Sequence, residues 1–123
     1  MTRISASHAA VSGMLAAQRR LEVSAGNVAN VSTPGYVPAR TTDRARREGG
    51  VESIVEREPS ATGLPATRPD APAGVDGDGR PLSGTDLGTE FVTQITAQRA
   101  FEANLAVLRT ENEMLGSLVR RRG

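Results

Sequence analysis

Apolar positions recur at alternating spacings of three and four at both ends of this chain. Across residues 3–31, Ile4, Ser7, Val11, Met14, Gln18, Leu21, Ala25 and Val28 keep that rhythm. Across 86–119 it returns through Leu87, Phe91, Gln94, Gln98, Phe101, Leu105, Leu108, Asn112, Leu115 and Val119. Such a repeat is the a/d seam of a coiled coil rather than the broad face of a helix on a globular core. Each end is therefore predicted to be a long helix, and the two seams can bury one another by pairing antiparallel. At 1.5 Å per residue the helices would be roughly 40 and 50 Å long, beyond the ~35 Å width of a compact globule of this length.

Local signals support these limits. Pro34 and Gly35 stop the first helix. Asp86 is a fitting N-cap for the second, with Glu90 at the positive end of its dipole and Arg120, Arg121 and Arg122 at the negative end. Gly13 and Gly26 each cost about 1 kcal/mol inside a helix, so the first segment is weakly helical by itself. Between the ends, Val51–Glu58 is rich in β-branched residues and can form a short strand pairing with Val37–Thr42. Proline and glycine then crowd Pro59–Gly84, which reads as turn or loop. The expected organisation is mainly α: an N-terminal helix and turn (1–36), a small β/irregular insert (37–85) and a C-terminal helix (86–123).

Composition narrows the function. The chain has 123 residues, and Ile, Leu, Val and Phe make up close to a fifth of it. Its aromatics are Tyr36, Phe91 and Phe101. So little bulk does not build a deep ligand cavity. Without cysteine and with His8 as the single histidine, thiolate and multi-histidine metal sites are not expected in a monomer. Asp76-Gly-Asp-Gly79 departs from a calcium loop, which needs a ligand at Arg80, glycine at Pro81 and glutamate at Leu87. His8 near Ser5 and Ser12 has no acid to orient it. Neither an enzyme nor a bound cofactor or metal is expected.

Net charge is +1, and all fifteen basic residues are arginine, which a GC-rich genome explains. The clusters Arg40, Arg44, Arg46, Arg47 and Arg120–Arg122 raise nucleic-acid binding as a rival. They come without stacking aromatics or a reading helix, so no nucleic-acid partner is expected. No segment reaches the roughly 18 apolar residues of a membrane span. The N-terminus also lacks the unbroken apolar run of a cleaved signal.

Both seams carry polar members, and Val23, Val92, Ile95 and Leu118 fall off the a/d line. Those side chains need partners that one helix pair does not supply, and copies of the same chain supply them most simply. The candidate assembly residues are Ile4, Val11, Met14, Leu21 and Val28 in the first helix. In the second they are Phe91, Ile95, Phe101, Leu105, Leu108 and Leu115.

Two runs carry a family resemblance. Ser12-Gly-Met-Leu-Ala-Ala-Gln18 followed by Ala25-Gly-Asn-Val-Ala-Asn-Val-Ser-Thr-Pro-Gly-Tyr36 resembles the N-terminal signature of flagellar axial (rod and hook) proteins. Ala97-Gln-Arg-Ala-Phe-Glu-Ala-Asn104 and Thr110-Glu-Asn-Glu-Met-Leu115 resemble the matching C-terminal signature. The motif positions are Asn27, Asn30, Thr33, Pro34, Gly35 and Tyr36, then Gln98, Arg99, Glu102, Asn104, Glu113 and Met114. Phe101 stands where the family usually has tyrosine. The short insert is similar to that of the proximal rod protein of the C type.

The resemblance implies a structural subunit of the bacterial flagellar basal-body rod, which spans the periplasm. It implies export without a cleaved signal by the flagellar export apparatus, then helical stacking with copies of itself and other rod subunits. The rival from another class is a soluble two-helix adaptor outside the flagellum. Read physically, Asn27 and Asn30 share one helix face and can bond last-turn carbonyls or a neighbouring backbone. Tyr36 is an amphipathic anchor over the corner. Arg99 and Glu102 are three apart and can pair along the helix, but an exposed pair is worth only about a few tenths of a kcal/mol, so contact with adjacent subunits is the favoured reading for them.

Overall fold

The computed structural model describes residues 6–57 and 82–122. Two helices, α1 (Ala6–Ala29) and α2 (Leu87–Arg120), enclose in sequence a hairpin of β1 (Ala39–Ala45) and β2 (Val51–Arg57). The fold is mainly α, as expected. Ile4 and the Pro/Gly-rich stretch 58–81 lie outside the described residues.

The helices run antiparallel. Near one end Ser24 and Asn27 of α1 meet Glu90 of α2, and further along Gly13 lies against Asn104. Asp86 caps α2 as the sequence indicates, its carboxylate accepting from the Gly88 N–H at 3.0 Å and from the Thr89 hydroxyl at 2.9 Å. With 34 residues, α2 is about 51 Å long against about 36 Å for the 24 residues of α1. Carrying the register back from the Gly13–Asn104 crossing puts Ala6 level with Glu111. The last turns of α2 therefore extend past the described start of α1.

The phase of the contact differs from the a/d reading. The buried residues are Ala10, Ala16, Ala17, Ser24 and Asn27 of α1 and Glu90 and Ala97 of α2. Ala16 apart, that line lies one residue ahead of the expected seam in each helix. Val11, Leu21, Phe91, Phe101 and Leu115 are left exposed, while Met14, Val28, Leu105 and Leu108 are half-buried. The cause is steric. Interaxial distance follows the side chains at the contact, and a stripe of alanine, serine and glycine lets the backbones close. At Gly13 a Cβ would sit 2.7 Å from the Asn104 Nδ2, so the glycine that weakens α1 locally is what admits its partner.

The hairpin is antiparallel, pairing Ala39 with Arg57 through to Ala45 with Val51. It extends past the expected Val37–Thr42 strand because the chain reverses only at Arg46–Gly50. There Gly49 and Gly50 adopt φ of 89° and 82°, which side-chain-bearing residues resist. The hairpin rests along α1 at three places. Ser12 Oγ accepts from the Val51 N–H at 3.0 Å, Arg20 pairs with Asp43, and Asn27 grips the backbone of Ala39.

Candidate functional site

Two features stand out: a polar junction where all elements meet, and an apolar groove beside the helix contact.

The junction is built on Asn27, 1 % exposed in the last turns of α1. Its Nδ2 donates to the Ala39 carbonyl at 2.8 Å and to Glu90 Oε1 at 3.0 Å. Its Oδ1 accepts from the Ala39 N–H at 2.9 Å and from the Tyr36 hydroxyl at 3.2 Å. One carboxamide thus uses both donors and both acceptor sites, and all its bonds lie within the chain. Ser24 adds a bond from its hydroxyl to the Glu90 carbonyl at 3.1 Å. The turn Thr33–Tyr36 places the ring: Pro34 and Gly35 (φ 70°) occupy its centre, closed by Tyr36 N–H donating to Thr33 O at 3.2 Å. The Arg57 guanidinium lies 5.6 Å from the centre of the Tyr36 ring. Gly84 N–H donates to the Tyr36 carbonyl at 2.9 Å, fastening the approach to α2.

Glu90 is the residue that sequence reasoning placed incompletely. It does sit in the first turn of α2, but it is 4 % exposed and serves as the partner of Asn27. Its position one residue before Phe91, like that of Asn27 one before Val28, follows the shifted phase of the contact. Asn30 behaves as anticipated, donating to the Gly26 carbonyl at 2.9 Å in the last turn. A recess of about 210 Å³ opens beside the junction near Arg20, Arg40 and Thr93.

The groove lies on the face that the small-residue contact leaves open. Leu21, Phe91, Ile95 and Phe101 line it, with Gln18, Gln94 and Gln98 between them, around a volume of about 530 Å³. The predicted assembly residues Leu21, Phe91, Ile95 and Phe101 are therefore brought together. Val11, Met14, Val28, Leu105, Leu108 and Leu115 fall outside its lining. Glutamates flank it on each helix: Gln18 Nε2 donates to Glu22 at 3.5 Å and Gln98 Nε2 to Glu102 at 3.2 Å. Arg99 and Glu102 lie 3.6 Å apart as an intrachain pair on the surface, where such pairs are worth about a few tenths of a kcal/mol. Asn104 donates to the Ala100 carbonyl at 2.8 Å and packs over Gly13.

Past the described start of α1, Met114, Leu115, Leu118 and Val119 are 55–74 % exposed. Glu113 lies on the same exposed run. Among the described residues no group of three or more His, Cys, Asp or Glu could hold a metal ion, and no helix is long and apolar enough to cross a membrane.

Comparison with known families finds two matches, one at each end. The family described as "Flagella basal body rod protein" matches residues 8–36. The family described as "Flagellar basal body rod FlgEFG protein C-terminal" matches residues 82–121. Together they take in more than half of the chain, covering α1 from His8 onward, the Thr33–Tyr36 turn and all of α2, and leaving the hairpin between them. No curated protein matches the chain.

Proposed function

Because this chain belongs to the flagellar basal-body rod protein family, we propose that it is a rod subunit that stacks helically through its end helices. Its partners are copies of itself and other rod subunits. The observation that carries this reading is the groove of Leu21, Phe91, Ile95 and Phe101. A monomer that pairs its helices through alanine and asparagine while leaving its largest apolar side chains in water is unfinished. Burying such side chains stabilises by about 1.5–3 kcal/mol each, which is the natural driving force for stacking.

Passage through the flagellar export apparatus as unfolded chain, without a cleaved signal, agrees with a first helix weakened at Gly13 and Gly26. A thin helix contact with few buried side chains agrees with it too. The short insert supports the proximal, C-type position in the periplasmic rod.

The test is Ile95→Glu. Ile95 is 60 % exposed, so monomer helicity by circular dichroism should hold. Incorporation into isolated basal bodies, and with it swimming, should be lost. Normal basal bodies carrying this variant would overturn the reading.

A further inference from the structure

We propose that the hairpin joins one copy of the chain to the next: the open edge of β1 pairs antiparallel with the open edge of β2 from a neighbour, so that successive hairpins form one sheet. The proposal rests on the rod-subunit reading for the presence of neighbouring copies, and it uses surfaces other than the groove.

The ladder identifies the backbone groups that are free. Arg46 N–H donates to the Gly50 carbonyl at 3.1 Å, so the hydrogen-bonded pairs fall at even-numbered residues, from Arg44–Glu52 to Arg40–Glu56. The odd-numbered residues turn their N–H and C=O groups outward. At the start of each strand α1 supplies the missing partner. The Asn27 carboxamide engages both groups of Ala39, as a neighbouring strand would, and Ser12 Oγ accepts the Val51 N–H. Further along, the outward groups of Thr41 and Asp43 on β1 and of Ser53 and Val55 on β2 have no partner among the described residues.

Charge selects which edges can meet. Buried Ala39 and Asp43, the partner of Arg20 on α1, share one face of the hairpin, so Arg40, Arg44, Glu52 and Glu56 stand on the other. Charged residues on open edges ordinarily prevent pairing. Here they prevent only like with like. Two β1 strands antiparallel about Thr42 would set Arg40 against Arg44, and two β2 strands about Ile54 would set Glu52 against Glu56. Such pairs are destabilising. β1 against a neighbour's β2, in the register the hairpin itself uses, sets Arg40 against Glu56 and Arg44 against Glu52. Asp43 then exchanges backbone bonds with Ser53, and Thr41 with Val55. Arg40, Arg44 and Glu56 form no ion pair among the described residues, whereas Glu52 holds Arg46 at 3.6 Å. Arg40 with Glu56 is therefore the leading complement.

There is also room for the added strand. The recess of about 210 Å³ runs along Ala39, Arg40 and Thr41, with Val23 and Thr93 also lining it. Val55 is 43 % exposed, and this register brings a neighbour's Val55 beside Thr41, at that recess. Asn27 and Ser12 end the shared ladder on either side and so limit slippage. Because two different edges meet, every copy keeps one of each for a further neighbour, and the contact propagates.

The chain has no cysteine, so disulfides between copies form against a clean background. Cells produce Thr42→Cys and Ile54→Cys full-length chains alongside the parent, and isolated basal bodies are treated with a mild oxidant. In the shared ladder these residues form a non-hydrogen-bonded pair about 4.5 Å apart at Cα, within disulfide reach. The 42–54 adduct should exceed the 42–42 and 54–54 adducts. Val55→Pro in the Ile54→Cys chain removes an N–H that points out of the hairpin. Its own ladder is kept, and the adduct should fall at least tenfold. A fivefold exchange, Arg40→Glu, Arg44→Glu and Arg46→Glu with Glu52→Arg and Glu56→Arg, keeps unlike charges opposed inside each hairpin. Placed in one of the two cysteine chains it should abolish the adduct, and placed in both it should restore it. Dominant like-with-like adducts, or a 42–54 adduct indifferent to Val55→Pro or to the one-sided exchange, would overturn the shared sheet. If the mixed adduct is absent while Ile95→Glu still blocks incorporation, the shared sheet fails and the rod-subunit reading stands. If Ile95→Glu assembles normally, the rod-subunit reading itself has failed.

Discussion

The two ends of the helix pair are held by opposite means. At the junction, Ser24, Asn27 and Glu90 are buried, and the hydrogen bonds of Asn27 tie α1, the turn, β1 and α2 to one another. At the other end Met114, Leu115, Leu118 and Val119 are apolar and exposed. Polar groups are inside and large apolar groups outside, the reverse of an ordinary globular core. The difference separates two tasks. Directional bonds fix geometry within one molecule, because a buried amide without its partners costs more than a misplaced methyl. Non-directional apolar surface is kept for contacts still to be made.

The largest effect comes from breaking the junction. Asn27→Ala removes every bond of the carboxamide and strands the Ala39 N–H and carbonyl together with one Glu90 oxygen. Each orphaned buried group costs about 1–3 kcal/mol, so a loss of about 3 kcal/mol or more is expected. Thermal unfolding measures it, and hydrogen exchange should show the Ala39 amide losing protection. A stability change below about 0.5 kcal/mol would mean that the junction is ornamental and the comparison false.

Much of this architecture was legible in the sequence, and the part that was not has a single physical origin. The period of three and four located both helices, Asp86 announced the start of α2, and β-branched Val51, Ile54 and Val55 marked a strand. The phase was missed because a/d counting follows bulk, and here bulk is what the monomer leaves outside. The relevant signal was small residues at matching intervals, Ala10, Gly13, Ala17 and Ser24 in α1 and Ala97 and Ala100 in α2, which permit close approach. No local signal marked Glu90 as buried. A glutamate in a first turn is ordinarily a dipole partner, and only the arrival of Asn27 from 63 residues away changes its role. The hairpin's length was likewise set by its turn, where two consecutive glycines postpone the reversal.

A mid-sized effect tests the close contact. Gly13→Ala should cost about 1 kcal/mol although alanine is the better helix former by a similar amount, because the new Cβ meets the Asn104 side chain under 3.0 Å away. In an Asn104→Ala background the same change should turn stabilising. A double-mutant cycle by denaturant unfolding reads the coupling, and additivity within about 0.3–0.5 kcal/mol would show that the two residues do not touch.

The smallest effect on the monomer is the most discriminating. Leu118 is 60 % exposed on the part of α2 that extends past the described start of α1, so Leu118→Ser removes apolar surface that the single chain leaves exposed. Its unfolding free energy should move by less than about 0.5 kcal/mol, while the fraction of chain entering basal bodies should fall well below that of the parent. In ordinary core residues the two readouts move together, since the same contacts serve both. Here they are expected to part, because the side chain contributes only once another copy covers it. A clear drop in monomer stability would mean that Leu118 is already packed within its own chain, and the two ends of the pair would then be built alike.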